Sequence, residues 1–193
     1  IHGWFTYPAG FSYKAVEHSI EQADLIKGVS TIYDPFMGSG TTNLVAKTMG
    51  YHSIGVEAHP FVYRITASKM NWDVSFNELS HALESIEGII SRFDRPDNID
   101  LFLKNEFPEL ILKCFLPETL LVLLVIRNAI PQIKATKSVA ELLRTALICV
   151  LRDVSIAATG WPYIAPNKIK VTSMSKKGWE TYRNRVLKMY GDI

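Results

Sequence analysis

The segment Asp34-Pro-Phe-Met-Gly38-Ser-Gly40 restricts the fold of this chain more than any other stretch of it. It follows Val29-Ser-Thr-Ile-Tyr33, a β-rich run, and precedes a helical pattern from Thr41 to Met49 that stops at Gly50. A second β-rich run, His52 to Val56, ends at Glu57; after Pro60 the stretch Phe61 to Asn71 reads as helix again. Upstream, His18 to Lys27 has helical character, with Gly28 placed as its C-terminal glycine. Strand, glycine turn, helix and strand in that order make a β-α-β unit, which implies a parallel sheet.

Glycines at a strand-to-helix turn let the backbone come close to a ligand and take conformations closed to other residues. The helix that follows presents free N–H groups and the positive end of its dipole, which suit an anionic group. A phosphate-cradling P-loop needs a lysine after its last glycine, and here Thr41-Thr42 follow Gly40. A dinucleotide fingerprint wants a third glycine at position 43, which is Asn43, and has no need of an acid at the strand end. Asp34 makes sense where the ligand brings a cation. S-Adenosylmethionine does so: its ammonium can face Asp34 while loop amides take its carboxylate. Glu57 lies 23 positions after Asp34, the usual offset for an acid that binds ribose hydroxyls, and His59-Pro60-Phe61 can flank an adenine.

On these residues the chain resembles the amino-methyltransferases that modify adenine N6 or cytosine N4 in DNA. Asp34 to Thr42 resembles their motif I, and Gly55-Val-Glu57-Ala-His-Pro60 their motif II. Thr6-Tyr7-Pro8-Ala9-Gly10-Phe11-Ser12 resembles motif X, with Gly10 where family members often have lysine. Read alone, Tyr7 to Phe11 is simply a turn with two aromatics. The resemblance covers Tyr7 to Asn71 closely, then continues loosely through Phe107-Pro108 and Leu151-Arg-Asp-Val-Ser155. It implies a Rossmann-like α/β methyltransferase that uses S-adenosylmethionine, no metal and DNA as partner, of the kind found in restriction-modification. The cofactor residues it implies are Tyr7, Pro8, Ala9, Phe11, Asp34, Pro35, Phe36, Gly38, Ser39, Gly40, Thr41, Thr42, Glu57, His59 and Pro60.

An exocyclic amine is a poor nucleophile, so a polar side chain and a carbonyl must accept its hydrogens while an aromatic ring stacks on the flipped base. In the family that device is motif IV, Asp/Asn/Ser-Pro-Pro-aromatic, and no such tetrapeptide occurs in the sequence. Thr159-Gly160-Trp161-Pro162-Tyr163 reads either as a degenerate version, with Trp161, Pro162 and Tyr163 as weak catalytic candidates, or as a packed loop. Met189-Tyr190-Gly191-Asp192 resembles motif III, which makes Asp192 a further cofactor candidate, or is a terminal turn. On the motif III reading the domain is incomplete at the C-terminus. Motif IV then belongs to a missing C-terminal segment or a second polypeptide. Ile1 and Ile193 likewise read as ends of a piece of a longer chain.

From Val74 to Asp153 the strand signal is gone: Glu78-Leu, Ala82-Leu, Ile86 and Ile89-Ile90 recur at helical spacing, and prolines 96, 108, 117 and 131 cut the region into helices. The expected organisation is a cofactor-binding region over 1–73 and a helical insertion between two strands of the sheet over 74–158. A loop, a basic helix and the start of motif III fill 159–193. The basic residues of that last part, interleaved with Trp179, Tyr182 and Tyr190, read as a phosphate-backbone track or as a solvated helix face. At 48% hydrophobic, 21% charged and a net charge of +2, the chain is ordinary for a globular domain, and overall charge decides nothing about nucleic acid. No uninterrupted apolar run is long enough to span a bilayer. Cys114 and Cys149 have no metal-ligand spacing and read as buried thiols of a cytoplasmic protein. His2, His18, His52 and His81 suggest no site. A non-catalytic cofactor-binding subunit, and a methyltransferase acting on RNA or a small molecule, remain open beside the DNA reading.

Overall fold

The structure, a computed structural model, describes residues 1–5, 7, 10, 12–159, 164–170 and 177–193. The chain divides into two compact units, Ile1–Asp73 together with Ile193, and Val74–Asp192.

The first unit opens with a single 3-10 turn, His2–Trp4, and helix α1, Tyr13–Gln22. Strand β1 (Thr31–Asp34), helix α2 (Thr41–Thr48), strand β2 (His52–Gly55) and helix α3 (Pro60–Met70) follow. β1 and β2 pair in parallel, Thr31 opposite His52 and Asp34 opposite Gly55. Alternation sends Ile32 inward, where it packs with Leu25, Met49 and Tyr51 against a core of Val16, Ile20 and Val45. Tyr33 and Ile54 point the other way and are exposed.

α1 ends five residues earlier than its sequence pattern predicts. Ala23 leaves the helix in an extended conformation, and the chain then turns so that Leu25 reaches the Val16–Ile20–Val45 core. Gly28, at φ +74°, serves the turn in which Val29 and Ser30 donate to the Ile26 carbonyl. It closes a loop, not a helix.

The second unit holds α4 (Phe76–Arg92), α5 (Ile99–Glu106), α6 (Glu109–Leu112), α7 (Pro117–Ala129), α8 (Lys137–Val154) and α9 (Gly178–Gly191). α4 buries Leu79, Ala82, Leu83 and Ile86, the helical stripe visible in the sequence. Leu103, Leu120, Leu121 and Leu124 form a second core among the phenylalanines of α5 and the following turns. α7 starts on Pro117, whose fixed φ and missing N–H suit a first helical position.

Between α8 and α9 lie β3 (Ala157–Thr159) and β4 (Ile164–Ile169), paired antiparallel with each other. Among the described residues β3 and β4 pair only with each other, in a two-stranded sheet apart from that of β1 and β2. β4 was hidden by Pro166, which reads as a breaker but is tolerated where a strand has an open edge.

Candidate functional site

The glycine loop is built by hydrogen bonds at the ends of the two parallel strands. Val56 N–H donates to Asp34 O at 2.9 Å, Met37 N–H to Val56 O at 3.0 Å, and Gly40 N–H to Met37 O at 2.8 Å. Gly38 (φ +52°) and Gly40 (φ +79°) hold left-handed conformations, which L side chains adopt only at a cost. A Cβ on Gly40 would strike the Thr66 side chain, and one on Gly38 would come within 3.1 Å of the Tyr7 ring. Both glycines are therefore needed twice, for φ and for space. Gly40 is also the N-cap of α2 and supplies no capping side chain, so the first amides of the helix have no partner within it.

Asp34 and Glu57 stand at neighbouring strand ends, Glu57 two residues beyond Gly55, the register partner of Asp34. Each folds back on its own turn: Asp34 Oδ1 accepts from Phe36 N–H at 3.0 Å, and Glu57 Oε1 from His59 N–H at 2.7 Å. Asp34 Oδ2 is buried and has no partner among the described residues. A buried carboxylate oxygen without a donor is costly, and a cationic ligand group supplies what it lacks.

A cavity of about 310 Å³ opens beside the loop, lined by Tyr7, Ser39 and Thr41 with His2, Gly3, Phe5, Gly10, Ser12 and Tyr13. Of the sequence-predicted residues it brings together Tyr7, Ser39 and Thr41; Asp34, Gly38, Gly40, Thr42 and Glu57 border the loop without lining it. Phe36, predicted to touch cofactor, is 86% exposed, and Pro35, His59 and Pro60 are exposed as well. Phe61 makes edge contacts with His59 and Phe5. Pro8, Ala9 and Phe11, and the catalytic candidates Trp161, Pro162 and Tyr163, lie outside the described residues.

His2 was given no role from the sequence, yet it lines the cavity and stacks on Tyr13 at 4.9 Å. Burial first, and the Lys69 charge second, lower its pKa below the usual 6.5. Histidine spacing was the wrong signal, because His2 meets Tyr13 and not another histidine. Asn43, which spoils the dinucleotide fingerprint, is buried and donates to Ser53 Oγ at 3.2 Å, tying α2 to β2. A Cβ on Gly55 would collide with Met37 and this Asn43 amide, so Gly55 makes room for the tie.

Gly191-Asp192 does not follow a strand: it ends α9, with Asp192 as the C-cap. The aromatic residues among the late basic cluster are turned to other uses. Tyr182 is buried with its hydroxyl on Leu143 O, and Trp179 Nε1 donates to Glu87. Arg185 pairs with Asp153 and Lys177 with Glu180. Cys114 and Cys149 are both buried. Among the described residues no three His, Cys, Asp or Glu side chains cluster as metal ligands, and no helix is long and apolar enough to cross a membrane.

The family model for DNA methylase, of the N6/N4 kind, matches residues 3–68, the span that carries the loop, both acids and every cavity-lining residue but His2. Residues 3–68 thus resemble the N6/N4 DNA methylases. The chain is similar to two curated relatives. Type II methyltransferase M.BsoBI of Geobacillus stearothermophilus is 37% identical over 111 residues, 56% of this chain and 22% of that protein. Type II methyltransferase M.MjaII of Methanocaldococcus jannaschii is 36% identical over 70 residues, 36% of this chain and 13% of that protein. The chain thus spans less than a quarter of either relative's length. No solved structure matches.

Proposed function

We propose that the methylase segment binds S-adenosylmethionine at the glycine loop and serves a Rossmann-like methyltransferase acting on an exocyclic amine of adenine or cytosine in DNA. One observation carries the reading: the orphaned, buried Asp34 Oδ2 stands at a strand end beside the uncapped N-terminus of α2. A ligand with an ammonium and a carboxylate a few atoms apart satisfies both features. Asp34 then holds the ammonium, and the Ser39 and Thr41 side of the loop faces the carboxylate. Glu57, already braced by the His59 amide, accepts from the ribose hydroxyls. Tyr7, packed over Gly38, covers the loop and keeps water from it.

Bound there, the cofactor supplies an electrophilic methyl group. This chain's own residues contribute binding and orientation, which convert a bimolecular transfer into a positioned one. The Asp/Asn/Ser-Pro-Pro-aromatic device that polarises the amine is absent from the sequence, and we assign it to another segment or to a second polypeptide. DNA as substrate rests on the likeness of residues 3–68 to the N6/N4 DNA methylases and on the two relatives, both named Type II methyltransferases.

Calorimetry with S-adenosylmethionine tests the core of this reading. Asp34→Ala and Glu57→Ala should each weaken binding about tenfold or more, the scale of one charge-assisted hydrogen bond. A folded double variant with undiminished affinity would overturn it. Transfer of a labelled methyl group to DNA, with RNA as the control, then tests the substrate once a motif IV partner is supplied.

A further inference from the structure

Helix α3 grips the glycine loop from behind at two points. Thr66 Oγ1 donates to the Gly38 carbonyl at 2.8 Å, and Lys69 Nζ donates to the Ser39 carbonyl at 3.0 Å. The two residues are three apart and so share one face of α3. Both are buried, Lys69 at 3% exposure. An ammonium held out of water is costly unless its surroundings use the charge.

Across a trans peptide the C=O and the following N–H point in opposite directions. Anchoring the Gly38 carbonyl to α3 therefore turns the Ser39 N–H away from α3. Ser39 and Thr41 line the cavity, and none of the described lining residues comes from α3. The Lys69 charge is nevertheless felt in the cavity, since it helps hold the lining residue His2 neutral. Thr66 also leaves no room for a Cβ on Gly40, so the same helix face that holds the loop carbonyls keeps this position glycine.

We propose that Thr66 and Lys69 are positioning residues that hold the Ser39 amide toward the carboxylate of the bound cofactor, with Lys69 adding positive charge behind it. This rests on the cofactor reading given above, and the two can fail separately. The test uses two probes on the whole chain: S-adenosylmethionine and 5′-methylthioadenosine, which keeps the nucleoside but lacks the amino-acid part. Lys69→Met and Thr66→Val should each weaken S-adenosylmethionine by about tenfold while leaving methylthioadenosine unchanged. Lys69→Arg should restore most of the difference. Equal loss for both ligands, or no loss for either, would reduce the pair to a brace of the fold and sink the proposal. Should Lys69→Met not fold, Thr66→Val and Lys69→Arg decide it by the same ratio. A wild-type chain that binds neither probe would instead overturn the cofactor site itself.

Discussion

Among the described residues the two units differ in how they start their helices: three of the six in the second are capped by side chains, and none of the three in the first. In Val74–Asp192 three helix starts are closed by side chains: Ser75 accepts from Glu78 N–H, Asn98 from Leu101 N–H and Thr136 from Val139 N–H. In Ile1–Asp73 none of the α-helices has a side-chain cap, and α2 begins on a left-handed glycine. A capped start is stable and inert; an open one is less stable and able to bind. On the proposed reading, the open start of α2 is the one the first unit uses for its ligand.

The largest effect that can test this contrast is a cavity in the helical unit. Leu121, 2% exposed, packs in a core whose neighbours all come from the same unit. Leu121→Ala should cost about 2–5 kcal/mol in urea unfolding. Cofactor affinity, measured well below the transition, should stay where it was. If affinity fell in parallel, the two units would not be separable in this sense.

Next in size is Gly40→Ala. A left-handed alanine costs about 1–2 kcal/mol, to which the collision with Thr66 adds. Here binding should suffer more than stability, the reverse of Leu121→Ala, and calorimetry beside thermal melting reads both. Retained cofactor affinity in this variant would falsify the loop as the binding element.

Removing a cap from the second unit is milder. Thr136→Ala should lower stability by about 1 kcal/mol with no change in binding. Thr136 also bonds Glu78 through its amide and hydroxyl, which links the start of α8 to the start of α4. A double-mutant cycle with Glu78→Gln separates the cap from that link.

The smallest effect belongs to His2. Its folded pKa lies below 6.5, so the unfolded chain binds the extra proton more readily. The sign follows: stability is full above pH 6.5 and falls as pH drops through that value toward the lowered folded pKa. His2→Asn should flatten the slope between pH 7 and 5 in a pH series of melts. A slope that survives the change would place its origin elsewhere.

The elements of the first unit were readable because local and global preferences agree there. β1, α2, β2 and α3 each fall within two residues of the pattern that announces them. α1 was misjudged because Leu25 belongs to the periodic stripe of a helix, yet packs into the core by leaving it. β3 and β4 escaped notice because each is short and β4 contains Pro166, and an antiparallel partner is not visible from either strand alone. Thr66 and Lys69 could have been noticed as a polar pair at helical spacing. Nothing local, however, said that this face meets the loop 28 and 30 residues earlier.

By itself the sequence determined the loop, its two glycines, the acids at the strand ends and the likeness of residues 3–68 to the N6/N4 DNA methylases. Those are consequences of backbone chemistry over a few consecutive residues, which any chain with the same letters must obey. Only the tertiary structure decided that Asp34 Oδ2 would be left without a partner, that His2 and Tyr13 would wall the cavity, and that α3 would hold the loop from behind. Each of these depends on which distant groups meet, and packing chooses among many partners that the sequence alone leaves equal.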